Sequence, residues 1–286
     1  MKPRPGVWVV TIDVLQEATV FSLSSGSSLS FLIRGFHRCG AVILNQYWAL
    51  TCAHCPHEEE KTSLALRSGS TVRNRGGQIH VIKNVFIHER YDPVTFNYDI
   101  AAIQVRNPFR FSRKVAPIPM LRSEVELEEG DVVSVTGWGS SKVYESHIDG
   151  EYSEVLQLAE LEVGSTDKCN HTYPGKITDV MMCVLQHPQH ESPRGSCQGD
   201  SGGPLTWRGF LAGLVSFAEG CAFKDYPTVY SKISALRPWV TATIGELTSE
   251  NWTLEAVEVY PQDSLRVDGT LTLVQLITTE DSTSAV

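Results

Sequence analysis

The sequence predicts an all-β fold, a barrel or a sandwich, closed by one helix and followed by an acidic tail. Three observations lead there. Short runs of β-branched and aromatic residues recur from Phe36 to Tyr230, with turn residues between them. The chain of 286 residues carries 22 Gly and 14 Pro, as a loop-rich globular fold requires. A helical apolar period appears only late, where Ile233, Leu236, Val240 and Ile244 fall on one face.

At the N-terminus, Met1-Lys2-Pro3-Arg4 supplies charge, but Asp13 interrupts the apolar run at 7–12 and no small-residue cleavage site follows, so no clear leader peptide is read there. Residues 7–12, rich in Val, Trp, Thr and Ile, read as a strand. Residues 22–30 (SLSSGSSLS) read as a flexible loop. Strands are expected at 41–50, 78–87, 100–105, 132–136, 210–217 and 228–230. Pro238 is placed near the first turn of the late helix, where proline is tolerated. Residues 248–286 are acidic, rich in Ser and Thr, and free of Cys. Alternation around Asp268-Gly269 allows a hairpin, but a solvated, partly disordered tail is the preferred reading.

Composition excludes several functions. Formal net charge is −9, and residues 246–286 hold eight acids against the single base Arg266. That balance argues against a general nucleic-acid binder. No apolar stretch reaches 18 residues, which excludes a membrane-spanning helix. Seven cysteines suit three pairs and one leftover in an oxidising compartment. Zinc is the competing reading, since Cys52-Ala53-His54-Cys55 resembles a ligand cluster, but no second C-x-x-C element accompanies it. Sequons at Asn170 and Asn251 support secretion weakly.

Three segments carry chemistry. In Gly199-Asp200-Ser201-Gly202-Gly203-Pro204, a serine among glycines can sit on a tight turn with backbone N–H groups converging beside its hydroxyl. Thr51-Cys52-Ala53-His54-Cys55 sets a histidine beside a cysteine able to lock its loop. Asn97-Tyr98-Asp99-Ile100-Ala101-Ala102 sets an aspartate at the mouth of an apolar strand. Singly these would be a turn, a structural histidine and a strand cap. Together they resemble the chymotrypsin-like (trypsin-family) serine endopeptidases, in the order His, Asp, Ser. Cys39-Gly40-Ala41-Val42-Ile43-Leu44, Gly137-Trp138-Gly139, Val215-Ser216-Phe217, Pro227-Thr228-Val229-Tyr230 and the helix bearing Trp239 extend the resemblance over residues 5–247.

The resemblance implies two six-stranded β-barrels with the site between them and a C-terminal helix. An atypical segment at 1–34 would include a first barrel strand, with 13–33 as an unusual insertion. His54, Asp99 and Ser201 would form the triad, and the N–H groups of Gly199 and Ser201 the oxyanion hole. Ser216 would begin the edge that pairs with substrate backbone. The pocket floor would be Gly195, without the acid that selects Arg or Lys. Ala218 and Thr228 would narrow its walls, giving an elastase-like preference for small or medium apolar residues. Disulfides Cys39–Cys55, Cys169–Cys183 and Cys197–Cys221 are implied, with Cys52 a buried thiol. Val133 and Trp207 replace a further family cysteine pair. No cofactor or metal is called for, and Arg73 and Arg75, without an acid nearby, do not support a calcium loop. A monomer acting on peptide or protein substrates is expected, with an activating protease and a protein inhibitor as further partners and secretion as its destination. No Ile/Val-Val-Gly-Gly motif is seen, so Asp200, the activation switch, is expected to lack its α-amino partner, to turn to solvent or to another donor, and to leave the chain latent. The alternative is a protease-fold regulatory or binding module without turnover.

Overall fold

Burial alternates along the strands as a closed sheet demands. In the strand Gln78–Ile87, His80 and Ile82 point inward while Ile79 and Val81 face out. The computed structural model describes residues 26–140, 152–186, 195–221 and 226–245. Six strands make the first barrel: β1 (Ser28–Ile33), β2 (Phe36–Ile43), β3 (Trp48–Thr51), β4 (Leu64–Ser68), β5 (Gln78–Ile87) and β6 (Ala101–Val105), closed in the order β1-β2-β3-β6-β5-β4. The second has β7 (Val132–Gly137), β8 (Gln157–Val163), β9 (Met181–Gln186), β10 (Pro204–Trp207), β11 (Phe210–Phe217) and β12 (Thr228–Lys232), closed in the order β10-β11-β12-β9-β8-β7. Neighbouring strands are antiparallel. Closure leaves no free sheet edge in either barrel. The short helix α1 (Thr166–Thr172) follows β8, and α2 (Ile233–Ile244) follows β12.

The expected loop at 22–30 is corrected over its last three residues, and the expected insertion at 13–33 over its last six. Ser28–Ile33 is the strand that closes the first barrel, pairing with β2 and β4. Its serines are buried yet satisfied: Ser30 Oγ lies 2.7 Å from His37 Nδ1, and Ser28 Oγ lies 2.7 Å from Thr136 Oγ1 on β7. Composition alone reads such serines as solvated. The strand expected at 7–12 and the tail with its Asp268-Gly269 turn lie outside the described residues.

The run at 41–50 is two strands. Asn45 Oδ1 accepts from Tyr47 N and Trp48 N, at 2.9 and 3.0 Å, and reverses the chain between β2 and β3. The helix α2 buries Ile233, Leu236 and Val240, with Ile244 packed at the edge of the core. Pro238 stands in its second turn, further in than expected. On β7 and β10, Ser134 faces Thr206, so Val133 and Trp207 follow as neighbours and pack into one apolar cluster. Apolar contact thus stands where the family has a bridge. Among the described residues, no helix is long and apolar enough to cross a membrane.

Candidate active site

The site forms where three connections meet. His54 lies in the turn after β3, Asp99 just before β6, and Ser201 in the turn before β10. Cys39 on β2 bridges to Cys55, which fixes the His54 turn to the barrel wall. Gly40 N donates to Ser201 O at 2.8 Å, tying the serine turn to the same strand. Gly202 makes that approach possible. Its φ is +77°, and a Cβ there would overlap Thr51 Oγ1.

Asp99 is 1% exposed and fully occupied. Its Oδ1 accepts from His54 N at 2.9 Å, and its Oδ2 faces His54 Nδ1 at 2.8 Å and accepts from Ser216 Oγ at 2.5 Å. Ser231 Oγ donates to the Asp99 carbonyl at 2.6 Å. Phe96 and Tyr98, at φ +58° and +55°, hold the approach loop in a conformation that bulky side chains disfavour. The carboxylate therefore holds the imidazole with Nδ1 as donor, leaving Nε2 as a proton acceptor. Ser201 is half-buried.

Gly199, at φ +95°, presents its N–H and that of Ser201 without partners among the described residues. The Gly199 carbonyl accepts from His37 Nε2 at 2.9 Å, and Ser30 Oγ closes the other side of that ring. Burial pushes the His37 imidazole down to about 4, against the opposing pull of the Gly199 carbonyl, so it is neutral at physiological pH. Tyr152 packs against His37 edge-on, 6.0 Å between ring centres, and its ring fills the space a Gly199 side chain would need. Arg73 sits over the Tyr152 ring at 5.3 Å and donates to Ser153 O at 3.0 Å. The basic loop thus braces the Gly199 turn. The sequence reading missed Ser30, His37 and Tyr152. His37, two residues before Cys39, shares its face of β2, and that was the only local signal.

Asp200 is buried. It accepts from Gly139 N at 2.7 Å and Cys197 N at 3.0 Å. A Cβ at Gly137 or Gly139 would overlap its carboxylate. Its donors are backbone N–H groups from two separate segments. Burial raises its pKa to about 6, more than those two bonds lower it, and no cation pairs with it among the described residues.

Two of the expected pocket residues lie side by side. Phe217 faces Val229, so Ala218 and Thr228 follow as neighbours. Thr228 and Tyr230 share a face of β12, and Tyr230 OH lies 2.6 Å from Ser196 Oγ, on the residue after Gly195. Tyr173 OH donates to Pro227 O at 2.9 Å and accepts from Glu219 N at 3.0 Å, anchoring the rim. Ser196, Tyr230 and Tyr173 were not foreseen. Bridges also join Cys197 to Cys221, and Cys169 to Cys183 beside α1.

Among the described residues, two groups could offer metal donors: Cys39, His54 and Cys55, and Cys52, His54 and Asp99. The first is closed as a disulfide. In the second, burial and the Asp99 charge raise the Cys52 thiol well above its ordinary range, and its S–H donates to Val215 O at 2.8 Å. A metal there would first have to displace that proton.

Comparison with known proteins agrees with this geometry. The trypsin family model matches residues 18–240. Trypsin 5G1 of Aedes aegypti is 36% identical over 211 residues, 73% of this chain and 76% of that protein. The vitellin-degrading protease of Bombyx mori is 33% identical, covering 77% of this chain and 81% of its own length. Trypsin II-P29 of Gallus gallus is 34% identical, covering 73% and 81%. The solved structure of neuropsin, a serine protease expressed in the limbic system of mouse brain, superposes with a TM-score of 0.68 at 27% identity, covering 78% of this chain and 96% of neuropsin.

Proposed function

Since the chain belongs to the trypsin family and is a serine endopeptidase, we propose that His54, Asp99 and Ser201 are its triad and that it cleaves after small or medium apolar residues. The observation that carries the triad is the Asp99 carboxylate, dry and bonded to both His54 N and His54 Nδ1. His54 Nε2 takes the Ser201 proton as Oγ attacks the scissile carbonyl. The oxyanion is received by the N–H groups of Gly199 and Ser201. Collapse expels the amine, which leaves with the proton from His54. Water then repeats the sequence in reverse and frees the acid. The test is labelling with a fluorophosphonate. In the activated form Ser201 is expected to react, and Ser201→Ala and His54→Ala to abolish labelling. Full peptide hydrolysis by Ser201→Ala would refute the assignment.

The pocket reading rests on Gly195, which leaves no anion for a cationic side chain, and on Ala218 and Thr228 as neighbouring walls. An unpaired buried cation is heavily penalised. A peptide library cleaved chiefly after Arg or Lys would contradict it.

Latency rests on Asp200. Two backbone N–H bonds leave its charge under-compensated, and a freed α-amino group, supplied by an activating protease, is the partner that would restore it. Comparing active-site titration of the chain with that of a chimera carrying a cleavable Ile-Val-Gly-Gly segment decides it. Equal activity would reject latency. Three disulfides suit an oxidising, extracellular setting.

A further inference from the structure

His54 has two sides. One ring edge meets Phe96 at 5.4 Å, and Phe96 packs on Phe217 at 5.6 Å, between Ser216 and Ala218. The acyl half of a substrate, with its side chain toward Gly195 and Thr228, lies on that side. The other side opens into a chamber of about 540 Å³. The Cys39–Cys55 bridge lines it, and Cys55 Sγ lies 3.7 Å from the Ser201 carbonyl oxygen. The amine leaving group takes its proton from His54, so the chain beyond the scissile bond must run into this chamber.

The wall opposite is the β1–β2 hairpin, and it is built as a stiff platform. Arg34 and Gly35 have φ +53° and +87°, as a tight primed turn requires, and Arg34 N donates to Ser63 O at 2.7 Å. Strand alternation turns His37 inward and sends Phe36 and Arg38 outward together. Phe36 is 65% exposed, and Arg34 and Arg38 are exposed too. Neither arginine has an ion-pair partner among the described residues. Glu59 is the one acid lining the chamber. Two unpaired guanidinium groups and an uncovered aromatic ring thus face the leaving side of the site.

We propose that this chamber selects substrates carrying Asp or Glu within the first residues after the scissile bond, held by Arg34 and Arg38 with Phe36 packing on their stems. The inference rests on Ser201 as the nucleophile. Guanidinium forks match carboxylates in geometry as well as charge. The pairs are open to water, so the selection is modest and salt-sensitive, about three- to tenfold for Glu over Lys.

The test uses quenched fluorescent peptides that share one acyl half ending in Ala and differ only in the second residue after the cut: Glu, Gln or Lys. The expected order of kcat/KM in the active enzyme is Glu, then Gln, then Lys, with the spread shrinking in 0.5 M salt. In an Arg34→Gln/Arg38→Gln double variant the Glu-to-Lys ratio falls to near one. Equal rates for the Glu and Lys peptides, or a Glu preference that survives in the double variant, would overturn the proposal. An anilide with the same acyl half reports on the nucleophile alone, since it has no residue in the chamber. Should the anilide be left intact, the peptidase reading is what has failed. The chamber is then judged by fluorescence anisotropy of the same peptides on the Ser201→Ala protein, where tighter binding of Glu than Lys supports it and equal binding refutes it.

Discussion

Two buried groups beside the Gly199 turn should titrate against each other. His37 ordinarily titrates near 6.5 and here near 4, and Asp200 ordinarily near 3.8 and here near 6. Each difference is worth about 3 kcal/mol. The signs are opposite. The depressed His37 contributes stability that is present above its unfolded pKa and lost as pH falls from about 6.5 to about 4, because the unfolded chain takes the proton first. The raised Asp200 contributes stability that is present at low pH and lost as pH rises from about 3.8 to about 6. On acidification from neutrality, His37 therefore costs about 3 kcal/mol while Asp200 returns about the same. Their joint effect in the unaltered protein is close to zero. The perturbation is Asp200→Asn, which removes the compensating titration and leaves His37 alone. The assay is urea unfolding at pH 7 and pH 4, comparing the pH-dependent change in the variant with that in the parent, so that the other carboxylates cancel. The variant is expected to lose about 3 kcal/mol more than the parent over this interval. The amide also faces two N–H donors and is less stable at every pH, but that offset drops out of the difference. Identical acid profiles for variant and parent would refute the reasoning and mean that a cation already pairs with Asp200. The same logic gives a signature of activation. Once an α-amino group occupies the socket, the Asp200 pKa falls, and the parent should acquire the acid sensitivity of the variant.

Other expectations follow from the same geometry. Asp99→Asn keeps the shape but removes the charge that fixes the His54 tautomer, and kcat should fall on the order of 10⁴, as that change does in a triad protease. Ser216→Ala removes one of the Asp99 donors and should cost about tenfold in kcat with little change in KM. If Gly195 is the pocket floor as proposed, Gly195→Asp sets an anion there and should shift the Arg-to-Val ratio of kcat/KM toward Arg by about tenfold or more, read with matched anilides. Cys52 is buried and protonated, so a disulfide thiol reagent should find no reactive sulfhydryl in the folded protein and a single one after unfolding in guanidinium.

What the sequence determined by itself is what local chemistry dictates. The glycine-flanked Ser201, the cysteine-locked His54 and the strand-capping Asp99 each announce a backbone role within six residues. Resemblance in their order and in the surrounding motifs then implied the two barrels and the disulfide partners. The 3.6-residue apolar period likewise marked Ile233–Ile244 without any tertiary information. Only the tertiary structure decided the rest. Ser28, Leu29 and Ser30 read as the end of a loop because serine is polar, and they become strand because β4, His37 and Thr136 satisfy them from elsewhere in the chain. The donors of Asp200 come from Gly139 and Cys197, and the brace on Gly199 from His37 and from Tyr152, itself held by Arg73. Arg34 and Arg38 are ordinary surface residues until the hairpin sets them beside His54. Motifs record backbone conformations that few residues can adopt, so they are legible along the chain. Burial, compensation of charge and the lining of a cleft depend on partners distant in sequence, and folding alone brings them together.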